Sequence, residues 1–149
     1  MKTMMMKSLF VGAAIMVATL ATPAMAQESS YKPGTVWTAS RIDVLPGQFE
    51  NYMDYLAKSW KKIQEMGKAE GVVVSYHVLS TNSARAGEPD LVLIIKYKDY
   101  QTTAQQEAMS KKVNALLAQD DRKADTASGE RSKMRELMGS IEYQELVLK

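Results

Sequence analysis

The feature that most constrains the fold is a pair of hydrophobic segments, GVVVSYHVLS (71–80) and DLVLIIKYK (90–98), separated by the turn-rich stretch TNSARAGEP. Both are rich in β-branched and aromatic residues and are bounded by Gly, Asn and Pro, so they predict a β-hairpin. Side chains alternate between the two faces of a strand, yet neither segment keeps a polar face. A sheet that is apolar on both sides requires cover on both sides.

The first 26 residues have the pattern of a bacterial secretory signal peptide. Lys2 and Lys7 precede an apolar run, and Ala24-Met25-Ala26 is a small-residue cleavage pattern, so cleavage is expected after Ala26. The alternative is an uncleaved membrane anchor, but the apolar run is shorter than the ~20 residues that span a bilayer. We therefore expect the mature protein to be soluble and to be periplasmic or secreted.

Cleavage would leave 123 residues with 17 basic and 17 acidic side chains, one histidine and no cysteine. A net charge near zero gives no reason to expect nucleic acid or an anionic membrane as a partner. The lack of cysteine excludes disulfides and thiolate chemistry, and a lone histidine provides no transition-metal set. No metal and no cofactor are therefore expected. The length fits one small domain that gains stability by burying more surface in an oligomer.

The mature chain is expected to begin with a flexible arm over residues 27–34, followed by one domain over 35–149. A strand over 35–44 ends at Pro46-Gly47, and an apolar stripe at spacings of three and four predicts a helix over 48–69. After the hairpin, Asp99 is expected to cap a second, thinner amphipathic helix.

The stretch 120–136 mixes both charge signs with Ser and Gly, and it is expected to be a solvated loop. That loop would run into a short helix ended by Gly139, and a last strand would follow over 141–149. The order is βαββαβ, which predicts a ferredoxin-like α+β fold: a four-stranded antiparallel sheet with its helices on one face.

The join of the first strand and helix, RIDVLPGQFENYMDYL (41–56), resembles the strand–Pro-Gly–helix opening of the dimeric α/β-barrel superfamily. This superfamily includes the antibiotic-biosynthesis-monooxygenase-like and NIPSNAP-like proteins. GVVVSYHVLS and the third strand running into KDYQTTA are similar to the same pattern, and the chain resembles small exported bacterial proteins of unassigned function more closely still. In the superfamily two sheets pack face to face around a central barrel. The resemblance therefore implies a homodimer, which would cover the second apolar face.

The same resemblance implies two kinds of enzyme, cofactor-free monooxygenases and haem-degrading enzymes, which use Asn, Trp and His near the barrel pocket. In this chain the histidine, His77, lies on a strand, and the second helix carries only Asn114. The departure argues against haem cleavage.

Five residues are candidates for ligand binding: Trp37, Arg41, Tyr76, His77 and Trp60. An Arg beside an aromatic side chain can bind a carboxylate or a planar ligand, and an imidazole can act as a general base. His77 is therefore the one catalytic candidate. Because neighbouring residues of a strand face opposite sides, we expect His77 to share a cavity with Trp37 and Arg41, and Tyr76 to lie outside it unless a bulge intervenes.

Each candidate also has a structural interpretation. His77 can be an interior or interface residue, Trp60 a core residue, and Arg41 can pair with Glu142 or Glu145 on the last strand. Three functions stay open: an exported homodimer that binds a small, partly apolar or aromatic molecule, a cofactor-independent monooxygenase, and a structural or stress-related protein. The first is favoured, with its ligand either between sheet and helices or in the shared barrel.

Overall fold

The computed structural model describes residues 28–149, and the expected signal peptide with its cleavage site lies outside them. A four-stranded antiparallel sheet with the order β2-β3-β1-β4 forms the centre of the fold. The strands are β1 (Tyr31–Val44), β2 (Val73–Ser80), β3 (Leu91–Tyr97) and β4 (Arg135–Leu148). The helices are α1 (Phe49–Tyr55), α2 (Lys61–Ala69), α3 (Thr103–Leu116) and α4 (Asp121–Arg131). This order and pairing confirm the expected ferredoxin-like α+β fold.

A π-helical turn, Leu56–Trp60, joins α1 to α2 without a break. The backbone N–H of Lys61 donates to the carbonyl of Leu56, five residues back, where an α-helix would bond four residues back. The wider turn brings Leu56 and Trp60 together onto the buried side of the helix. Turns of this kind occur often near functional sites.

The hydrophobic core lies between this helix and the two central strands. It consists of Ile42, Tyr52, Leu56, Trp60, Leu91 and Leu93. On β4, polar residues face the same way beyond Gly139, since Thr38 pairs with Glu142 and Ser40 with Ser140. Neither α3 nor α4 buries a residue completely. The helical layer is thus tightly packed over β2, β3 and Ile42 of β1, and it is looser over β4.

The pairing of β1 with β4 starts earlier than expected. Tyr31 pairs with Leu148, so residues 31–34 belong to the sheet and the prediction of a flexible arm is wrong for them. Pro33 is accepted in this strand because β3 pairs with β1 only from Val36 onward, which leaves the other edge of β1 unpaired at Pro33.

A bulge near the start of β2 changes which side chains share a face. Val73 and Ser75 pair with neighbouring residues of β3, so Val74 is the additional residue. Val73 consequently faces the helices, on the same side as Tyr76, and not the opposite side as strict alternation predicts. Gly67 lies directly over it, since a Cβ at Gly67 would be 2.6 Å from Cγ2 of Val73. Gly67 therefore lies inside α2, where it allows the helix to pack closely against Val73 of β2.

The second helix begins after Thr102, and the expected cap at Asp99 is wrong. The Thr102 hydroxyl accepts a hydrogen bond from the Gln105 backbone N–H at 3.3 Å, and the Gln105 side chain accepts one from the Thr102 N–H at 2.8 Å. This reciprocal pair satisfies two of the N–H groups that a helix start leaves without partners.

The segment 120–136 contains a helix where a loop was expected. The Asp120 carboxylate accepts a hydrogen bond from the Lys123 N–H at 2.8 Å and caps α4. No short helix follows, because β4 begins at Arg135 and runs through Gly139, which has a φ of +123° beside a register shift. The mixed charges correctly marked an exposed segment, but exposure does not exclude a helix.

The two isoleucines of β3 offer a test of the sheet's orientation. Ile95 packs against the core, whereas Ile94 faces the side without helices. We expect Ile95→Lys to lower the free energy of unfolding by about 3 kcal/mol or more, because the lysine charge would lose its hydration. Ile94→Lys should leave a folded chain. Circular dichroism and urea unfolding measure both, and equal destabilisation by the two variants would contradict this orientation.

Candidate functional site

The face of the sheet opposite the helices carries three of the five candidate residues. We call it the open face and define it by Trp37, Ala39, Arg41, Ser75, His77, Leu79, Val92, Ile94, Lys96, Ile141, Tyr143 and Glu145. His77 pairs with Ile94, which pairs with Ala39 between Trp37 and Arg41. The histidine therefore lies two strands, or about 10 Å, from β1. Within residues 28–149 no element covers this face, and Leu79, Ile141 and Tyr143 are about half exposed there.

Trp37 is held in place by a polar network at one end of the open face. Its indole N–H donates to the Thr35 hydroxyl at 3.1 Å, and the Lys96 ammonium lies 4.7 Å from the ring centroid. Lys96 also lies 3.8 Å from the Glu145 carboxylate, which accepts hydrogen bonds from the hydroxyl and the backbone N–H of Thr35. These hydrogen bonds, with the Lys96 charge, lower the pKa of Glu145. The indole is thus a fixed aromatic surface with its N–H already in use.

Arg41 does not pair with an acid of the last strand. Its guanidinium donates to the carbonyl oxygen of Gly87 at 3.0 Å, which holds the β2–β3 loop against β1. Glu142 faces the helices and Glu145 belongs to the Trp37 network. The alternative expectation, an ion pair of Arg41 with either glutamate, is therefore wrong.

Tyr76 and Trp60 lie on the helical side of the sheet and contact each other edge to face, with ring centroids 5.3 Å apart. Trp60 belongs to the core, while the Tyr76 hydroxyl donates to Glu65, which raises the pKa of the phenol. The two rings line an apolar hollow of about 150 Å³ beside Met53 and Val78. The five candidates consequently divide between two faces, and no single cavity brings them together.

A larger cavity of about 520 Å³ lies within the helical layer. We call it the interhelical cavity. Its lining combines the first helix, the ends of α3 and α4, and the turn before β4: Tyr55, Ser59, Ile63, Val113, Leu117, Gln119, Ala124, Ala127, Glu130, Arg131 and Met134. Ser59 comes from the π-helical turn. The small side chains of Ala124 and Ala127 leave the space that larger residues on α4 would fill.

A row of aromatic and cationic groups borders this cavity. The Arg131 guanidinium carbon lies 5.2 Å from the centroid of the Tyr55 ring, and Tyr55 stacks on Tyr52 with centroids 5.8 Å apart. On the far side, the Arg135 guanidinium carbon lies 5.9 Å from the Tyr52 centroid. Burial raises the pKa of the Tyr52 phenol, and the nearby Arg135 charge opposes that rise in part. Tyr52 is 1% exposed, so this row is anchored in the core.

Sequence reasoning missed the interhelical cavity because it treated the segment that forms α4 as a loop. Two features of the sequence could have predicted this helix. Asp120 is a favoured N-cap residue, and the spacing of the alanines at 124 and 127 places both on one side of a helix. Within residues 28–149, no group of three or more acidic or histidine side chains could hold a metal ion. No helix of this part of the chain is long and apolar enough to span a membrane.

The hydrogen bonds of Glu145 should make the stability of the fold depend on pH. Because the folded-state pKa of Glu145 is lowered from 4.5, its contribution to stability is complete above that value and is lost as the pH falls through the folded-state pKa. Glu145→Gln should therefore lower the melting temperature at pH 7, and the difference from wild type should shrink towards pH 3. Glu142→Gln, on the same strand but the other face, serves as the control in thermal unfolding. A difference of constant size across this pH range would contradict the assigned role of the Glu145 charge.

No protein-family model and no curated protein matches the chain. Two solved structures are similar to it. HapK from Hahella chejuensis has 13% identity and a TM-score of 0.48, covering 74% of this chain and 91% of its own. Protein SO0527 from Shewanella oneidensis has 14% identity and a TM-score of 0.48, covering 78% of this chain and 98% of its own. These similarities concern the fold alone, and strand order and pairing carry the ferredoxin-like assignment.

Proposed function

We propose that this protein binds a small, partly apolar molecule in the interhelical cavity. The cavity itself is the observation that carries the proposal. Its volume of about 520 Å³ falls within the range of ~300–1,000 Å³ typical of small-molecule sites. Such sites are mainly apolar, with a few polar groups that orient the ligand. Here Ile63, Val113, Leu117 and Met134 supply the apolar surface, and Ser59, Gln119, Glu130 and Arg131 the polar groups.

Two other features of the domain fit a ligand less well. The hollow beside Trp60 and Tyr76 holds about 150 Å³ and offers almost no polar group. On the open face, hydrogen bonds and the Lys96 contact already occupy Trp37 and Arg41. Compared with these two features, the interhelical cavity combines a sufficient volume with polar side chains from several elements.

For the assembly, we propose an exported homodimer of the dimeric α/β-barrel type, in which the open face packs against a second copy. Residues 1–26 support export by their pattern. The exposed side chains of Leu79, Ile141 and Tyr143 support the interface, since burial of apolar surface contributes roughly 25 cal/mol per Å². In such a dimer Trp37, Arg41 and His77 would line the shared barrel, where they remain candidates for a second ligand contact.

Blocking the interhelical cavity should abolish binding. Ala127→Phe places a ring in the space, and we expect the affinity for the neutral fluorescent probe N-phenyl-1-naphthylamine to fall at least tenfold, about 1.4 kcal/mol. Ala115→Phe is the matched control, because Ala115 is an exposed residue of α3 outside the lining. Native mass spectrometry of the wild type should also show a retained ligand that Ala127→Phe loses. Equal probe binding by both variants would place any site elsewhere.

The dimer has a separate test in light scattering. We expect the wild type to have twice the monomer mass at micromolar concentration, and Ile141→Lys to give a folded monomer because it puts a charge into the proposed interface. Leu116→Lys, at an exposed position of α3, should leave the dimer intact. A monomeric wild type would refute the proposed assembly without affecting the interhelical cavity.

The alternative of a cofactor-independent monooxygenase rests on the family resemblance. Oxygen uptake with quinols or polycyclic phenols separates it from a binding protein. Uptake by the wild type and its loss in Ala127→Phe would assign that chemistry to the interhelical cavity. A protein that neither binds the probe nor consumes oxygen would fit the third class, a structural role.

A further inference from the structure

We propose that the ligand of the interhelical cavity is an anion, an apolar molecule with a carboxylate or sulfonate group that Arg131 binds. This inference rests on the proposed function and names the class of ligand.

Arg131 is the one charged side chain of the cavity lining that forms no ion pair within residues 28–149. The lining contains two ionisable side chains of opposite charge, Glu130 and Arg131, besides the phenol of Tyr55. The Glu130 carboxylate is paired with the Lys133 ammonium at 2.7 Å. In residues 28–149, no carboxylate forms an ion pair with Arg131. A ligand that enters the cavity therefore meets one positive charge without a protein counterion.

The geometry leaves the donors of this guanidinium accessible. Arg131 lies over the ring of Tyr55, with its guanidinium carbon 5.2 Å from the centroid. The N–H groups of a guanidinium point outward in its plane, so contact with a ring on one face leaves the edges available for hydrogen bonds. Tyr55 is itself fixed by stacking on the buried ring of Tyr52. The guanidinium can therefore donate a pair of hydrogen bonds to two oxygens of a carboxylate or a sulfonate.

A second guanidinium without an acidic partner lies behind the first. Arg135 covers the other end of the tyrosine pair, and its Nε is buried without a hydrogen-bond partner. Arg135 lines a separate hollow with Ser128, Ser132 and Glu136, so we assign it no contact with the ligand. Neither guanidinium has an ion-pair partner in residues 28–149, so each adds positive charge along the tyrosine row that borders the cavity.

The test compares two fluorescent probes that share the same rings. 8-Anilino-1-naphthalenesulfonate carries one sulfonate, whereas N-phenyl-1-naphthylamine is neutral. We expect the wild type to bind the sulfonate at least tenfold more tightly. Arg131→Met should remove that preference, lowering affinity for the sulfonate about tenfold, which corresponds to about 1.4 kcal/mol, and leaving the neutral probe within about twofold. Arg122→Met removes an exposed charge from the same helix outside the lining and should change neither affinity.

A second measurement needs no variant. Raising NaCl from about 50 mM to about 500 mM should weaken binding of the sulfonate relative to the neutral probe, because salt screens the attraction to Arg131. This keeps the inference testable if Arg131→Met does not fold.

The outcomes separate the inference from the proposed function. If Ala127→Phe abolishes binding of both probes but Arg131→Met affects them equally, the cavity binds ligands and the anion preference is refuted. If Ala127→Phe leaves both affinities unchanged, the proposed function itself is refuted. A sulfonate preference that persists in Arg131→Met would also overturn the inference, because the anion would then be bound by another group.

Discussion

The packing of one helix against two strands determines where everything else in this domain lies. Tyr52, Leu56 and Trp60 meet Ile42, Leu91 and Leu93, and these six buried side chains form the hydrophobic core. Tyr52 then fixes Tyr55 by stacking, and Tyr55 supports Arg131. The candidate ligand site is therefore attached to the core through a short chain of aromatic contacts. The elements that close the site, α3 and α4, bury no residue completely and so have more freedom to adjust to a ligand.

The coarse fold could be predicted from the sequence because its signals are local. Hydrophobic segments rich in β-branched and aromatic residues and bounded by turn residues predicted the hairpin, and spacings of three and four predicted the helix that covers it. The bulge at Val74 could not be predicted in the same way. It lies beside the close contact of Gly67 in α2 with Val73, and a contact between a helix and a strand produces no periodic pattern in either segment. The α4 helix was missed for another reason, since its cap and alanine spacing were outweighed by its mixed charges.

The faces on which the five candidate residues lie could be predicted from the sequence, but the interhelical cavity could not. Strand parity correctly placed Trp37, Arg41 and His77 on one face and Tyr76 on the other. Strand parity does not identify hydrogen-bond partners, however. Arg41 donates to a backbone carbonyl of the β2–β3 loop, and no residue type in the sequence predicts that contact. The interhelical cavity depends on how closely two helices approach a third. The distances between these helices depend on side-chain volumes in three separate segments. The cavity between the helices can therefore be identified only from the folded structure.

The pairing of β1 with β4 has a consequence for the order of events during synthesis. Thr35 and Glu145 are neighbours in the sheet but are 110 residues apart in the chain. The edge of β1 that pairs with β4, from Tyr31 to Val44, therefore cannot form its hydrogen bonds until the fourth strand has been synthesised. Contacts of such long sequence separation form slowly, because a large loop must close first. A nascent chain with this topology stays incompletely folded until β4 leaves the ribosome.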